Sequence, residues 1–452
     1  MYILRRTSLY SHLFLKGRHH RALSMLAIWG LITILGMIVA IASRRVSPLI
    51  ALFLFPVTAS LAAGFGLKTA QFALSGLVSI APVVAMFLFA ILFFGVLTDS
   101  GTIEPFVKIL LRGIGKNPVL IVPGTSLLAL LLHLDGSGAV VFLVAIPTLL
   151  PLYQELGMDR RILACAVSLA AGVNFLPWTG PTIRAASALH TTPIALFRPL
   201  IPVQIVGLVY VFAVAIYLGR RERRRIGLTD TTLIPASTTP AAGAPVARVR
   251  VAGNLVLAVA VLGLVISGKV EPAIAFMLGT TLALLINFRT VGDQGAAIDR
   301  HAKAALSMCA ILCSAGVFTG ILKGSGMLAA MAKASIAQIP PGLAPHIPVV
   351  LGLIAMPLSL LFDPDSFYFG ILPVLAAAVQ GFGLPATSVA EAALLGQMTT
   401  GFPVSPLTPA TFLVTGLSGI DLSTHQRFAG PFLLGASIVM TIAAVLFHVI
   451  PL

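Results

Sequence analysis

The residues best suited to cation or carboxylate chemistry lie in two pairs of polar turns within apolar sequence. The turns occupy residues 135–138 and 177–182 in the first half of the chain, and 363–366 and 405–411 in the second. The spacing is the same in both halves, because Asp135 precedes Pro181 by 46 residues and Asp363 precedes Pro409 by 46 residues. Apolar segments that are interrupted at matching places in two halves are typical of the central binding site of a membrane transporter.

Three carboxylates in these turns, Asp135, Asp363 and Asp365, are candidates for proton or cation coupling and for contact with a divalent metal ion. A carboxylate is costly within a membrane and is therefore a functional candidate. His133, just before the first turn, is a candidate proton carrier. Structural roles remain open: an Asp at a turn can cap a half-helix, and His133 can donate to a backbone carbonyl.

The candidates for substrate binding are mostly neutral polar residues and glycines around the turns. They are Ser137, Gly138, Asn174, Thr179, Gly180, Thr182, Arg184, Ser366, Gln397, Ser405, Thr408 and Thr411. Hydroxyl and amide oxygens suit hard cations, and the planar fork of Arg184 suits a carboxylate. The alternative for Arg184 is an interfacial side chain that reaches toward lipid headgroups.

The composition predicts a membrane protein, because 58% of the 452 residues are hydrophobic and only 10% are charged. The apolar segments lie at about 26–42, 46–66, 77–98, 199–218, 253–268, 272–288, 304–322 and 430–449. Placing the basic run 220–225 in the cytoplasm concentrates Lys and Arg on that side, as the positive-inside rule requires. The net charge of +15 therefore reflects the orientation of the protein in the membrane and does not indicate nucleic-acid binding. We predict a multi-pass protein of the inner (plasma) membrane, in contact with the lipid bilayer.

Internal similarity predicts an inverted repeat. The sequence Ala-Ile-Leu occurs at 90–92 and at 310–312, in segments that run inward and outward, respectively, on this orientation. The Asp turns would be the tips of re-entrant hairpins, and the Pro/Thr turns would break the next helices, at about 162–190 and 388–417. The predicted fold is an all-α polytopic membrane protein with two inverted repeats, each with a re-entrant hairpin and a broken transmembrane helix. No nucleotide-binding motif is present, so an ion gradient would supply the energy.

The predicted organisation has six parts. They are a basic N-terminal extension at 1–24, with Met25 as a candidate start; scaffold helices at 25–76; repeat 1 at 77–218, with its tip near 135–138 and its break near 174–182; a cytoplasmic linker at 219–252; scaffold helices at 253–303; and repeat 2 at 304–452, with its tip near 363–366 and its break near 398–411.

Six stretches together resemble one transporter family. They are 134–138 (LDGSG), 148–158 (TLLPLYQELGM), 176–186 (LPWTGPTIRAA), 219–225 (GRRERRR), 367–370 (FYFG) and 425–428 (HQRF). This set is similar to the citrate-metal-proton symporter family of the ion transporter superfamily. The resemblance implies proton-driven uptake of citrate or a related carboxylate as a complex with Mg2+ or Ca2+, without a resident cofactor. It also implies a homodimer with an elevator-type architecture.

The sequence departs from the pattern of that family at Ser137, at Thr179 and in the stretch 398–401, where the family often has an acid, a glycine and a histidine. Another carboxylate, with or without metal, therefore stays open as the substrate. A sodium/proton antiporter of the same superfamily is the alternative function. A remote alternative is an intramembrane aspartyl protease, which would use two Asp residues but has a Gly-x-Gly-Asp motif that is absent from this sequence.

Overall fold

The computed structural model describes residues 25–41, 43, 45–102, 117–136, 138–227, 248–267, 269–336 and 340–452. The predicted extension at 1–24 and most of the predicted linker lie outside these ranges, within which all regular secondary structure is helical. The helices are α1 (Met25–Ile41), α2 (Pro48–Ala62), α3 (Lys68–Asp99), α4 (Pro118–Leu132), α5 (Ala139–Glu155), α6 (Arg160–Val173), α7 (Gly180–Leu189), α8 (Pro193–Ile226), α9 (Arg248–Ser267), α10 (Pro272–Asn287), α11 (Val291–Gly324), α12 (Met327–Ile336), α13 (Ile347–Leu358), α14 (Leu372–Gly381), α15 (Thr387–Leu394), α16 (Pro409–Ser418) and α17 (Leu422–Leu446).

Several helices have the length and composition of membrane spans. The helices α3, α8 and α17 and the segment Ala305–Gly324 of α11 are long and apolar enough to cross a bilayer, and shorter apolar helices accompany them. Large apolar side chains on the outward faces, such as Val209, Val256 and Leu285, are 65%, 68% and 63% exposed. Such surfaces suit contact with lipid and support a polytopic membrane protein.

Helices are interrupted at four places. The helices α4 and α5 join at tip 1 (residues 133–138), where Gly136 and Gly138 have φ values of 72° and 67°, a left-handed conformation that favours glycine. The helices α13 and α14 join at tip 2 (residues 359–365), which leads into a π-helical turn, Ser366–Ile371. Break 1 (residues 174–179) separates α6 from α7, and break 2 (residues 395–408) separates α15 from α16.

Some of the predicted segment boundaries fall inside helices. The boundaries at 76/77 and 303/304 lie within α3 and α11, which continue for 32 and 34 residues. The predicted linker begins at 219, but α8 continues through its basic run to Ile226. Backbone hydrogen bonding carries these helices beyond the apolar stretches from which the boundaries were inferred.

The buried side chains form two cores. Core 1 contains α4–α6, α8 and α13–α17, and core 2 contains α1–α3 and α9–α12. The short helix α7 lies between them, since Ala185 and Ala186 pack into core 1 while Ile183 and Ala188 pack into core 2. Break 1 and tip 1 also reach core 2, since Trp178 belongs to core 2 and Leu134 packs against it.

The helices α3 and α11 cross antiparallel in close contact. Near the start of α3, Gly76 lies against Gly316 and Gly320 near the end of α11, and a Cβ at Gly76 would overlap the backbone of α11. At the other end of α3, Asp99 accepts a hydrogen bond from Arg300 Nε at 2.7 Å. Small residues at such a crossing let two membrane helices approach closely.

A charged cluster ties the α5–α6 loop to the end of α8. Buried Glu222 accepts hydrogen bonds from the Asp159 backbone and from Arg225, both at 2.6 Å. Asp159 caps α6 by accepting from the backbone of Arg161, whose side chain also pairs with it. Burial raises the pKa of Asp159, but hydrogen bonds from Arg161 lower it, and the net pKa is below its ordinary value.

Candidate functional site

A cavity of about 340 Å3 lies between the two cores, where both tips and both breaks meet. Its walls come from tip 1 (His133, Gly136, Gly138), the end of α6 (Ala171, Gly172), break 1 and the start of α7 (Phe175, Thr179, Gly180, Pro181, Arg184), tip 2 (Pro364), break 2 and the start of α16 (Met398, Thr399, Phe402, Thr408, Ala410), and core 2 (Phe87, Ile91, Met308). Irregular backbone is tolerated at membrane depth where it lines such a cavity.

The two half-helices that begin at the cavity start in the same way. Thr179 caps α7 and Thr408 caps α16 with extended backbone. Each threonine hydroxyl lies within hydrogen-bond distance of the hydroxyl three residues on, at 3.2 Å for Thr182 and 3.0 Å for Thr411. Neither cap side chain bonds a backbone N–H of its helix. Both helix starts therefore present positive dipole ends at the cavity, which favours anions.

Arg184 supplies a positive charge to this cavity. It lies one turn into α7, and its Nε donates to Asp365 Oδ1 of tip 2 at 2.7 Å. Both side chains are buried, at 7% and 6% exposure. Gly180 gives the guanidinium room, since a Cβ there would lie 2.8 Å from Arg184 Nη1. The ion pair joins two segments that are 181 residues apart in sequence.

Asp363 has a capping role in this structure. Its Oδ1 accepts from the backbone N–H groups of Asp365 and Ser366 at 3.0 Å each, and its Oδ2 accepts from the Ser366 hydroxyl. The helical segment that leaves tip 2 therefore begins at Pro364, with Asp363 as its cap. This order, a capping residue followed by proline, is favoured at helix starts. Asp363 also lines a second cavity of about 400 Å3, which shares Thr408 with the first.

His133 connects tip 1 to both breaks. Its Nδ1 lies 3.1 Å from the Asn174 carbonyl of break 1, and its ring stacks on Phe402 of break 2 with centroids 6.3 Å apart. The Asn174 side chain donates to the Leu130 carbonyl at 3.3 Å. Thus Nδ1 of His133 and the Asn174 amide hold the site together, while the His133 ring lines the cavity.

A donor from α8 also supports break 1. Gln204 Nε2 donates to the carbonyls of Phe175 at 3.0 Å and Val173 at 3.3 Å. Trp178 Nε1 donates to the Leu134 carbonyl at 2.8 Å, and its ring stacks on Phe94 of core 2. An amide within an apolar helix is a sequence signal that points to Gln204.

Break 2 is held by tip 2 and by α17. Ser359 donates to Gln397 Oε1 at 2.9 Å, and Tyr368 donates to the Gln397 carbonyl at 2.8 Å. Ser405 donates to the Ser359 carbonyl. From α17, Gln426 Nε2 donates to the Val404 carbonyl at 2.8 Å. Gln397 and Ser405 are therefore structural contacts of the break.

Thr399 is a further polar residue of the cavity, which sequence reasoning missed. Its hydroxyl is buried and lacks a hydrogen-bond partner in the part of the chain that the structure describes. Two other lining residues, Phe402 and Met308, carry no sequence signal, because apolar residues are common in such segments. Met398 has a positive φ of 53°, a strained conformation that clusters at functional sites.

The predicted site residues fall into three groups. Those that line the cavity are His133, Gly138, Thr179, Gly180, Arg184 and Thr408. Those that contact the lining residues or hold the breaks and tips are Asn174, Thr182, Asp363, Asp365, Ser366, Gln397, Ser405 and Thr411. Ser137 and the side chain of Asp135 lie outside the described part of the structure.

Comparison with known proteins identifies the family. The family model described as "Citrate transporter" matches residues 22–401. The chain belongs to the citrate transporter family. A citrate transporter of Bacillus subtilis (strain 168) is 38% identical over 428 residues, which cover 94% of this chain and 100% of the relative. A Mg(2+)/citrate complex secondary transporter of the same organism is 35% identical and covers 93% of this chain and 98% of the relative.

The fold also matches a solved transporter. The YdaH transporter of Alcanivorax borkumensis has a TM-score of 0.58 at 16% identity, over 85% of this chain and 89% of the other. The citrate transporter family consists of transporters and not enzymes, so the intramembrane protease alternative is set aside. With its apolar helices, this family member is a multi-pass protein of the plasma membrane.

The cavity can therefore bind an anion that is small enough for about 340 Å3. Arg184 and two helix starts favour carboxylates. Among the residues that the structure describes, no group of three or more His, Cys, Asp or Glu side chains could hold a metal ion.

Proposed function

We propose that this protein is a proton-coupled symporter that carries citrate, or a related carboxylate, as a complex with a divalent cation. The observation that carries the proposal is the buried Arg184 in a cavity bounded by two half-helix starts. Family membership supports citrate as the substrate, and the printed name of one relative, a Mg(2+)/citrate complex secondary transporter, supports the metal complex.

The Arg184–Asp365 pair would be exchanged during binding. A substrate carboxylate can take the place of Asp365 on the guanidinium, because the two groups have the same charge and the same oxygen geometry. Asp365 then becomes a free carboxylate beside the bound substrate. It can contact the divalent cation that the substrate carries, which avoids leaving an unpaired buried charge.

The other coupling candidates would act around this exchange. Asp363 lies at the cap of tip 2 and lines the neighbouring cavity. His133 lines the main cavity beside tip 1. We include Asp135 for its place in the motif of tip 1. These residues are the proposed contacts for protons or for the carried cation.

Alternating access would use the repeated order of elements. A long helix, a tip, a break and a second long helix occur in each half of the chain, as α3 to α8 and as α11 to α17. The antiparallel crossing of α3 and α11 supports an inverted relationship between the halves. The separate cores support an elevator-type movement of core 1 against core 2, and a homodimer remains part of the proposal.

Uptake of labelled citrate into proteoliposomes tests this function. An inward proton gradient is imposed in the presence of EDTA, Mg2+ or Ca2+, for the wild type and for Arg184→Gln and Arg184→Lys. We expect uptake that needs both the gradient and a metal ion, that is lost in Arg184→Gln, and that is weakened in Arg184→Lys because the ammonium lacks the planar fork. Citrate uptake at the same rate with and without the proton gradient would contradict proton coupling. Wild-type uptake in Arg184→Gln would contradict the binding role, and proton flux driven by sodium without citrate would favour the antiporter alternative.

A further inference from the structure

A further buried carboxylate lies outside the citrate cavity. Glu391 is in the middle of α15 and is 5% exposed. Throughout the described ranges, no hydrogen bond or ion pair reaches its side chain, whereas Asp363 and Asp365 are both bonded. A buried charged carboxylate without a partner is costly, so a group in this position calls for an explanation.

Glu391 lines a cavity of about 880 Å3, larger than the cavity at the breaks. The walls are the N-terminal part of α8 (Pro199, Pro202), the start of α15 (Pro385, Thr387, Ser388) and the C-terminal segment 445–452. The cavity thus gives water a route to a carboxylate that is otherwise enclosed by core 1.

Few charged groups face Glu391. The helices α13 and α14, which pack against α15, have no titratable side chain. Arg184 on α7 is paired with Asp365, and Arg198 on α8 is exposed. From the C-terminal segment, His448 lines the same cavity and is itself exposed.

The position of α15 links this cavity to the citrate site. α15 ends at break 2, so Glu391 lies seven residues before Met398 and eight before Thr399, which line the citrate cavity. α15 also packs against α7, which carries Arg184. On the orientation set by the basic run of α8, the large cavity opens on the outer side, opposite the cytoplasmic end of that helix.

We propose that Glu391 is the binding site for the co-transported proton, loaded from the outer side through the cavity beneath the C-terminal segment. This assignment rests on the proposed function and names a residue for its coupling. The proton bonds to a carboxylate oxygen of Glu391, and the neutral acid is cheaper to enclose than the charged one when core 1 moves. Release of the proton on the inner side returns the carboxylate.

The test separates net transport from exchange. Proteoliposomes are assayed for citrate uptake driven by a proton gradient, and for exchange of labelled external against unlabelled internal citrate without a gradient. Exchange does not require release of the proton. We expect Glu391→Gln to lose gradient-driven uptake while exchange continues at the wild-type rate. Glu391→Asp, which keeps an acid, should retain gradient-driven uptake with a shifted pH profile.

Ser388→Ala is the matched control, because Ser388 lies one turn earlier on the same cavity wall and its hydroxyl only donates to the Pro385 carbonyl at 2.7 Å. This variant should behave as the wild type in both assays. Gradient-driven uptake in Glu391→Gln, or loss of exchange together with uptake, would overturn the proposal. If Glu391→Gln does not fold, an unshifted pH profile in Glu391→Asp overturns it.

Infrared difference spectra of the purified protein between acid and alkaline pH give a readout that is independent of citrate. The carboxylic acid band of the wild type should lose a component in Glu391→Gln but not in Ser388→Ala. An identical band in all three proteins would overturn the assignment. If the wild type carries no citrate but its carboxylic acid band still contains the Glu391 component, the proposed function is wrong and Glu391 remains a protonation site.

Discussion

The position of the Arg184 guanidinium depends on the absence of a side chain at Gly180 as well as on the ion pair with Asp365. Nη1 lies 2.8 Å from the position that a Cβ on Gly180 would take. Gly180→Ala should therefore push the guanidinium away from its present position. Because the same guanidinium pairs with Asp365, we expect a higher KM for citrate together with a lower thermal stability, by at most the roughly 3–5 kcal/mol of a broken buried ion pair. Citrate uptake kinetics and a thermal unfolding curve measure the two effects.

Gly416→Ala is the control for this change. Gly416 lies in α16, the half-helix that follows break 2, and has open space around it. Alanine there should leave KM unchanged and raise helix stability by up to about 1 kcal/mol. An equal rise of KM in both variants would show that the effect of Gly180→Ala does not act through Arg184.

The two aspartates of tip 2 should differ in their contributions to stability. Asp365→Asn removes the charge that balances buried Arg184, and breaking a buried ion pair costs about 3–5 kcal/mol. Asp363→Asn keeps a good capping residue and should cost only a few tenths of a kcal/mol, since Asn caps about as well as Asp. Thermal unfolding in detergent, with and without citrate, measures the difference.

Citrate should also restore more stability to Asp365→Asn than to the wild type, because its carboxylate then faces no competitor for Arg184. Ser388→Ala, which lies outside the citrate cavity, serves as the control with unchanged citrate stabilisation. Equal stabilisation of all three proteins by citrate would contradict the exchange of Asp365 for a substrate carboxylate.

The helix breaks depend on donors from neighbouring helices. Gln204 donates from α8 to the Phe175 carbonyl of break 1 and to the Val173 carbonyl at the end of α6, and its loss removes the donor to the Phe175 carbonyl. Gln204→Leu, which keeps the volume, should destabilise the protein by about 1–3 kcal/mol. We expect a lower unfolding midpoint and reduced citrate uptake. Gln154→Leu at an exposed position of α5 is the control, and the same midpoint for both variants would contradict the role of Gln204.

The sequence predicts the places of the breaks better than it predicts their contacts. The turns at 177–182 and 405–411 are visible without a structure because they combine proline with polar residues and interrupt apolar sequence, whereas Pro82, Pro199 and Pro202 lie inside continuous helices. The two half-helices nevertheless align at Thr179 and Thr408 and not at their prolines, because Pro181 is the second residue of α7 and Pro409 is the first of α16.

Contacts between distant segments are not contained in such local signals. The Arg184–Asp365 pair spans 181 residues, and either side chain alone is compatible with several partners. The stacking of His133 on Phe402 joins the first tip to the second break across 269 residues of sequence. Charge and spacing identify the candidates, but only the packing of two cores selects their partners.

At the scale of the whole molecule, the proposed substrate cavity lies at a boundary between two cores. Trp178 crosses this boundary and packs against Phe94 and Phe276 of core 2. If core 1 moves as a unit against core 2, contacts across the boundary must break in each transport cycle, whereas contacts within a core must persist. This difference separates an elevator-type movement from a local opening of the tips.

Cross-links between the cores should therefore stop transport. Ser79 of α3 lies 2.9 Å from Nδ1 of His190, which ends α7. In a protein without its three native cysteines, Ser79→Cys with His190→Cys joined by a short bifunctional thiol reagent should lose citrate uptake and regain it after reduction. The control is Ser100→Cys with Asn254→Cys, a pair 3.0 Å apart within core 2, whose cross-link should leave uptake unchanged. Transport that continues with the first pair joined would contradict movement of α7 against α3, and the cycle would then have to rely on the tips alone.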